Sequence, residues 1–286
     1  MQGIRSILVV LESLDPLDLA LHRARLIAGV TQAHLHLLIC DREEDHSTEL
    51  TALKHQLQEQ GHSVSAEQTW NHSLHDTIIG VQQAEGCALV IKQHRAEQGL
   101  KSALLTPLDW KLLRDCPSAV LMVKTDRSWR GANILAAIDV GNPDPDHWHL
   151  HTNIIDHSYD IAQLAKGTLH VISAHPSPTL TAADPLLQRL ESIQSHYREK
   201  CQAFQQEFDI DDEHLHIAEG PADILIPYMA HKLEAAVTVI GTVARTGLTG
   251  ALIGNTAEAV LDSLESDILV LKTDEIIDYL VGVLRG

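Results

Sequence analysis

A glycine-rich segment in the second half of the chain has residue types and a spacing that are suited to binding an anion. It reads GTVARTGLTGALIGNTAEAVL, from Gly241 to Leu261, and leads into an amphipathic run. Asn255 can cap that run as a helix, and Glu258 completes an arrangement similar to a capping box. A glycine loop before a helix N-terminus presents free N–H groups and a positive dipole end. The segment therefore predicts an anion site, with phosphate as the natural ligand.

Two common nucleotide signatures are missing from this segment. Neither G-x-x-x-x-G-K-[ST] nor G-x-G-x-x-G occurs in it. Glycines also serve tight turns and close packing, so the spacing alone leaves a purely structural role open. The position of the loop in the fold depends on the strands and helices predicted on either side of it.

Short runs rich in Val, Ile and Leu alternate with longer amphipathic stretches. The short runs are typical of strands covered on both faces, and the longer stretches predict helices. The predicted helices are Leu17 to Ala28, Thr48 to Gln60, Leu187 to Phe208 and Ala222 to Leu233. This alternation predicts right-handed crossovers and an open parallel sheet. Ligands bind such sheets at the carboxyl ends of the strands.

The chain contains the same pattern twice. RSILVVLE at 5–12 is similar to GANILAAID at 131–139, and SAVLMVK at 118–124 is similar to SDILVLK at 266–272. AHLHLLIC and GTLHVISA match between these pairs. Such a repeat predicts two copies of one α/β domain.

The predicted boundary lies in the polar segment TDRSWRGAN. The first domain is predicted to cover 1–126 and the second 132–273, each with an open five-stranded parallel sheet and helices on both faces. The remaining segment, 274–286, predicts a C-terminal tail helix.

This organisation resembles the universal stress protein family, whose ATP-binding members carry G-x2-G-x9-G-[ST] after the fourth strand. Here Gly241 matches the first glycine, Ala244 stands at the second, and Gly254 matches the third after nine residues. Asn255 replaces the Ser or Thr. The resemblance covers nearly the whole chain, is strongest to two-domain E-type bacterial members, and implies tandem Rossmann-like domains similar to adenine nucleotide hydrolases.

The resemblance also implies a nucleotide site in the second domain. Asp139 matches an acidic residue used toward adenosine, although it can equally satisfy loop amides. Val171 matches an adenine-contacting position and can equally be a core residue. The ribose and phosphates would be lined by Gly241, Ala244, Gly254, Asn255 and Thr256. Ala244 adds a methyl group where the backbone must approach, and Asn255 replaces a hydroxyl while keeping an amide donor.

The first half lacks the loop. It reads KQHRAEQGLKSALLTPLDW at 92–110 and retains only Gly99. Thr106 as N-cap, Pro107 at the first helical position and Asp109 in the first turn predict a well-formed helix start. Pro107 and Asp109 also make this helix start unsuitable for phosphate, because proline has no N–H to donate and the aspartate adds a competing negative charge. The first domain is therefore predicted to be a structural or regulatory partner without a nucleotide site.

Nineteen histidines raise the question of a metal site. His147, His149 and His151 include a helical i,i+4 pair that could chelate an ion. Their polar setting at a helix start favours a solvated face instead. His36 and His170 fall in predicted strands and are expected to be buried and hydrogen-bonded. No metal site is predicted from protein ligands, and Mg²⁺ is expected only with a nucleotide.

Composition limits the functional classes. The 286 residues are 44% hydrophobic and 21% charged but only 3% aromatic, which indicates a globular protein with an aliphatic core. The net charge of −18 argues against nucleic-acid binding. Four dispersed cysteines favour a reducing cytosol, and no apolar run reaches the roughly 20 residues of a membrane span. We therefore expect a cytoplasmic protein.

The functional expectation is a stress-response binding or regulatory protein. Its second domain is expected to bind ATP or a related adenine nucleotide with little or no hydrolysis, at most as a weak ATPase, because no water-activating residue can be named. The alternative is a nucleotide-independent interaction module for an apolar or lipid-like ligand, favoured by Ala244, Asn255, Leu248, Leu252 and Ile253. The family implies an internal pseudo-dimer through the final strands, and leaves a homodimer open.

Overall fold

The computed structural model describes residues 1, 3–15, 18–95, 105–142, 144–175, 190–242 and 255–285. The chain divides into two compact units. The first comprises Met1–Asp126 with Leu280–Gly286, and the second comprises Arg127–Tyr279. Within the described ranges, no helix has both the length and the apolar character needed to cross a membrane.

The first unit alternates strands and helices from end to end. Its elements are β1 Ser6–Leu11, α1 Leu19–Thr31, β2 His34–Ile39, α2 Ser47–Glu59, β3 Val64–Gln68, α3 Leu74–Glu85, β4 Leu89–Gln93, α4 Pro107–Asp115 and β5 Ala119–Val123. The strands are parallel and lie in the order β3-β2-β1-β4-β5. The order reverses between β1 and β4, which opens a crevice at their carboxyl ends.

The second unit repeats this topology. Its elements are β6 Asn133–Ile138, α5 Pro145–Ala165, β7 Thr168–His175, α6 Leu190–Phe208, a 3₁₀ turn at Asp212–His214, β8 Leu215–Glu219, α7 Ala222–Lys232, β9 Val237–Thr242, α8 Asn255–Ser263 and β10 Asp267–Lys272. The strand order is β8-β7-β6-β9-β10, again parallel. Helix α9, Asp274–Arg285, follows β10. The predicted fold class, a tandem repeat of open parallel α/β sheets, is confirmed.

The aliphatic strands account for the core of each unit. β1 and β6 are buried along five of their six residues, and β10 is buried along all six. Strands covered on both faces need continuous apolar side chains, so Val, Ile, Leu and Ala suffice where aromatic residues are scarce. One polar pair lies inside this core: the indole Nε1 of Trp129 donates to Oδ2 of Asp267 at 2.9 Å.

Helix boundaries follow local capping. α1 begins at Leu19, two residues later than predicted, because the carboxylate of Asp18 accepts the backbone N–H of Leu21. An Asp at the N-cap satisfies a backbone donor that a helix would otherwise leave unpaired.

Candidate functional site

The candidate site lies at the carboxyl ends of the strands in the second unit. Asp139 follows β6 directly, and its side chain is exposed. Its Oδ1 accepts the backbone N–H of Gly141 at 3.1 Å, while its own backbone N–H donates to Nε2 of His151 at 3.2 Å. The residue is thus held at two points and still presents a carboxylate to solvent.

His151 ties this strand end to helix α5. Its side chain is buried, and burial lowers its pKa to about 4, with a further contribution from nearby His147. A neutral imidazole keeps the Nε2 lone pair that accepts the Asp139 N–H. His149 is exposed on the same helix, so the three neighbouring histidines do not converge on one ion. Because His151 is buried, this run is not the uniformly solvated face that its polar setting predicted.

Helix α6 contributes a phenol and an ammonium beside the same loop. The Tyr197 hydroxyl lies against Gly141 so closely that any Cβ there would collide with it. Burial raises the pKa of Tyr197, and the negative charge of Asp139 raises it further. Lys200 Nζ donates to the carbonyl oxygen of Val140 at 2.9 Å. The loop after β6 is therefore clamped from both α5 and α6.

Val171 lies inside the sheet, away from this edge. It is 1% exposed and pairs with Ala136 of β6, three residues before the level of Asp139. That separation corresponds to about 10 Å along a parallel strand. The core interpretation of Val171 fits its position, whereas contact with an adenine at the carboxyl edge does not. His175, the last residue of β7, is the one that reaches the edge.

Gly241 has a packing role that the sequence did not reveal. A Cβ at this position in β9 would lie 2.6 Å from Cδ2 of Leu150 and 3.0 Å from Cδ1 of Ile154. Real Cβ atoms do not approach carbon so closely, so the glycine lets α5 pack on β9. Of the other predicted positions, Ala244 and Gly254 lie outside the described residues. Asn255 and Thr256 form the start of α8.

The corresponding edge of the first unit is closed by a buried carboxylate. Asp109 is fully buried at the start of α4, where it forms a capping box with Thr106 and Pro107 occupies the first helical turn. The predicted helix start is confirmed. Oδ1 of Asp109 lies 3.1 Å from Nζ of Lys92, and Oδ2 lies 2.8 Å from Nδ1 of His94.

The charge state of Asp109 follows from these contacts. Burial raises its pKa, but hydrogen bonds from His94 and Thr106 together with the charge of Lys92 outweigh burial and lower the pKa to about 2. The first unit thus carries its own anion where a phosphate would meet the helix.

The strand-end acids of the two units differ in their partners. Glu12, which matches Asp139 in the repeat, lies 3.0 Å from Nζ of Lys92 and also contacts Arg95. In the sheet register, Lys92 of β4 pairs with Val10 of β1. The corresponding pair in the second unit is Ile240 of β9 with Ala137 of β6, so an aliphatic residue takes the place of the lysine. In the part of the chain that the structure describes, Asp139 has no ion-pair partner. Of these two described strand-end acids, Asp139 alone is therefore an exposed carboxylate without an ion-pair partner.

Comparison with known proteins agrees with this architecture. The family model described as "Universal stress protein family" matches residues 3–124 and 132–272. Universal stress protein E of Salmonella typhi is 34% identical over 225 residues, which cover 76% of this chain and 71% of that protein. The Universal stress protein E homolog of Haemophilus influenzae is 31% identical over 265 residues, covering 89% and 84% respectively.

A solved structure is similar over the full length. It is a functionally unknown protein from Pseudomonas aeruginosa PAO1, with 60% sequence identity and a TM-score of 0.90. The match covers 99% of this chain and 98% of that one.

Proposed function

Because the chain belongs to the universal stress protein family, we propose that it is a stress-response binding protein whose second unit binds ATP or a related adenine nucleotide. The observation that carries the proposal is the exposed, backbone-anchored carboxylate of Asp139 at the end of β6. A fixed carboxylate accepts hydrogen bonds from the two hydroxyls of a ribose. Holding it in place before the ligand arrives lowers the entropic cost of binding.

The phosphate end of the ligand would meet the start of α8. This helix begins at Asn255, directly after the glycine-rich segment. Its first-turn N–H groups have no partners within the helix and carry the positive end of the dipole. Such a site suits a chain with a net charge of −18, because backbone amides attract phosphate locally where the average surface repels it.

The two units would have different roles. In the first unit, Asp109 and Glu12 are compensated internally by Lys92, and Asp109 occupies the helix start. A phosphate there would face a fixed negative charge within a few ångströms. We therefore assign the nucleotide to the second unit and a structural or regulatory role to the first.

Binding, with little or no hydrolysis, would act by favouring one conformation or partner surface over another. Mg²⁺ would enter with the nucleotide, through phosphate oxygens. The proposed compartment is the cytoplasm, which fits free thiols: burial raises the pKa values of Cys40 and Cys201 to about 12, so both stay protonated.

Native mass spectrometry of the purified full-length protein, followed by ATP titration, tests the proposal. A co-purified adenine nucleotide, or saturable ATP binding that Gly254→Val abolishes without loss of helical signal, supports it. A co-purified acyl compound with no ATP binding supports the second candidate, an interaction module for an apolar ligand. The aliphatic residues Leu248, Leu252 and Ile253 favour that candidate.

A further inference from the structure

A polar face crosses β2 and β3 at the edge of the first unit. The two strands pair in parallel with His36 level with Ser65. Alternate residues of a strand share a face, so His34 and His36 stand beside Ser63, Ser65 and Glu67. This surface lies within one sheet and is separate from the proposed nucleotide site in the second unit.

The side chains of this face form one continuous chain of short hydrogen bonds. His34 Nδ1 lies 2.7 Å from Ser63 Oγ, and His34 Nε2 lies 2.6 Å from Ser65 Oγ. Ser65 Oγ lies 2.7 Å from His36 Nδ1, and His36 Nε2 lies 2.8 Å from Oε1 of Glu67. Both ring nitrogens of His36 are therefore oriented by neighbours that the sheet register fixes.

A second carboxylate reaches the same imidazole from helix α3. Glu85 is the last residue of that helix, and Gly86 ends it in the left-handed conformation with φ 60°. Oε2 of Glu85 lies 3.6 Å from Nδ1 of His36. Three separate elements, β2, β3 and α3, thus converge on one buried histidine.

The two carboxylates of this cluster form no ion pair with a Lys or Arg side chain among the described residues. The ion pairs of Glu67 and Glu85 are both with His36. The His36 side chain is 5% exposed, whereas Glu67 is 38% and Glu85 46% exposed. Two carboxylates beside one buried imidazole attract a cation, and their exposure gives it a route in.

We propose that His36, Glu67 and Glu85 form a binding site for a divalent transition-metal ion of the Zn²⁺ type. One ligand atom from each residue lies within 4.8 Å of the other two. In a tetrahedral zinc site with bonds of about 2.0–2.2 Å, ligand atoms lie about 3.3–3.6 Å apart. Oε1 of Glu67 already lies 2.8 Å from Nε2 of His36, whereas Oε2 of Glu85 lies 3.6 Å from Nδ1, so the proposal requires the partly exposed Glu85 side chain to turn toward Nε2. One nitrogen and two oxygen donors suit zinc better than Mg²⁺, which prefers oxygen ligands and water.

The hydrogen-bonded chain supplies the outer support that such sites need. With the metal on Nε2 of His36, Nδ1–H donates to the Ser65 hydroxyl at 2.7 Å, and that hydroxyl donates to Nε2 of His34 at 2.6 Å. Partners of this kind fix the tautomer and the orientation of a ligating imidazole. His34 and Ser65 are therefore positioning residues for the site.

The corresponding face of the second unit has different chemistry. His170, which matches His36, lies 3.1 Å from His216 through Nδ1 and Nε2, and the ring of His214 packs against it. Burial lowers the pKa of His170 to about 4. By sheet register, His216 stands where the first unit holds Glu67, so the proposal is confined to the first unit.

Calorimetric titration of the full-length protein with Zn²⁺ alone tests the site, with Co²⁺ absorption as a readout of coordination. Glu67→Gln and Glu85→Gln keep the side-chain shapes and are each expected to weaken one zinc equivalent at least tenfold. They should also remove the zinc-dependent rise in the melting temperature. His34→Gln should weaken binding by about 10- to 100-fold.

Glu59→Gln is the matched control, because Glu59 is the last residue of α2 as Glu85 is of α3. It removes the same charge outside the cluster and is expected to bind zinc like the wild type. Zinc binding that is absent, or that is the same in Glu67→Gln, Glu85→Gln and Glu59→Gln, would overturn the proposal.

Discussion

Nζ of Lys92 lies 3.1 Å from Oδ1 of Asp109 and 3.0 Å from Oε1 of Glu12, so one buried ammonium holds two carboxylates together in the first unit. In the second unit, Ile240 occupies the position of Lys92, and Asp139 is left exposed at the position of Glu12. The two units therefore differ at this strand end by one cation: the first unit has a lysine that pairs with the acidic side chains, and the second unit has an isoleucine and an exposed aspartate.

Replacing Lys92 with Met should destabilise the first unit by about 3–5 kcal/mol, because two carboxylates lose their shared cation inside the protein. Urea unfolding followed by circular dichroism measures the loss. Lys111→Met, at an exposed position of α4, is the control and should change stability by less than about 0.5 kcal/mol. Equal stability of the two variants would show that the buried network is dispensable.

The Asp109 carboxylate should make stability fall in acid. Its folded pKa, about 2, lies below the unfolded value of about 3.9. Its contribution is therefore complete above about pH 4 and is lost as the pH falls toward 2. Asp109→Asn cannot titrate, so its stability deficit relative to the wild type should shrink across that interval. A deficit that stays constant from pH 5 to 2 would contradict this assignment.

His151 should give a second pH dependence with the same sign at higher pH. Its folded pKa of about 4 lies below the unfolded value of about 6.5, so only the unfolded state takes up the proton between these values. The wild type should lose on the order of 2 kcal/mol more stability than His151→Gln between pH 6.5 and 4. The glutamine keeps an acceptor for the Asp139 N–H. Parallel pH profiles would mean that His151 is charged in the folded protein.

Gly241→Ala should cost stability through packing. Its methyl group would enter the space of Leu150 and Ile154, and overpacking of this kind costs about 1–3 kcal/mol. Thermal unfolding measures the cost. Gly80→Ala is the control, since a Cβ at Gly80 on α3 meets nothing within 4 Å. If Gly241→Ala is as stable as Gly80→Ala, then α5 does not need the glycine.

The repeat and most of the strands and helices could be predicted from the sequence, because the strands are aliphatic runs and the helices are amphipathic. The edge strands β3 and β8 were harder to identify: residues such as Ser65 and His216 are only half buried and give no apolar run. The start of α4 was predictable from Thr106 and Asp109 because capping is local.

The site could be predicted only in part. Asp139 follows directly from the end of a strand, but Tyr197 reaches it from a helix 58 positions later, and no local pattern encodes that contact. The depth of Val171 was also beyond the sequence, because only the sheet register places it level with Ala136, three residues before the level of Asp139. The pairing of His36 with Glu67 likewise appears only once β2 and β3 are aligned.

The most direct test of the central claim is calorimetric ATP titration of the full-length wild type, Asp139→Asn and Glu12→Gln. The wild type should bind one ATP, Asp139→Asn should bind it at least tenfold more weakly, and Glu12→Gln should bind it like the wild type. Absence of ATP binding by the folded wild type, or equal affinity in Asp139→Asn and the wild type, would contradict a nucleotide site at the carboxyl edge of the second unit.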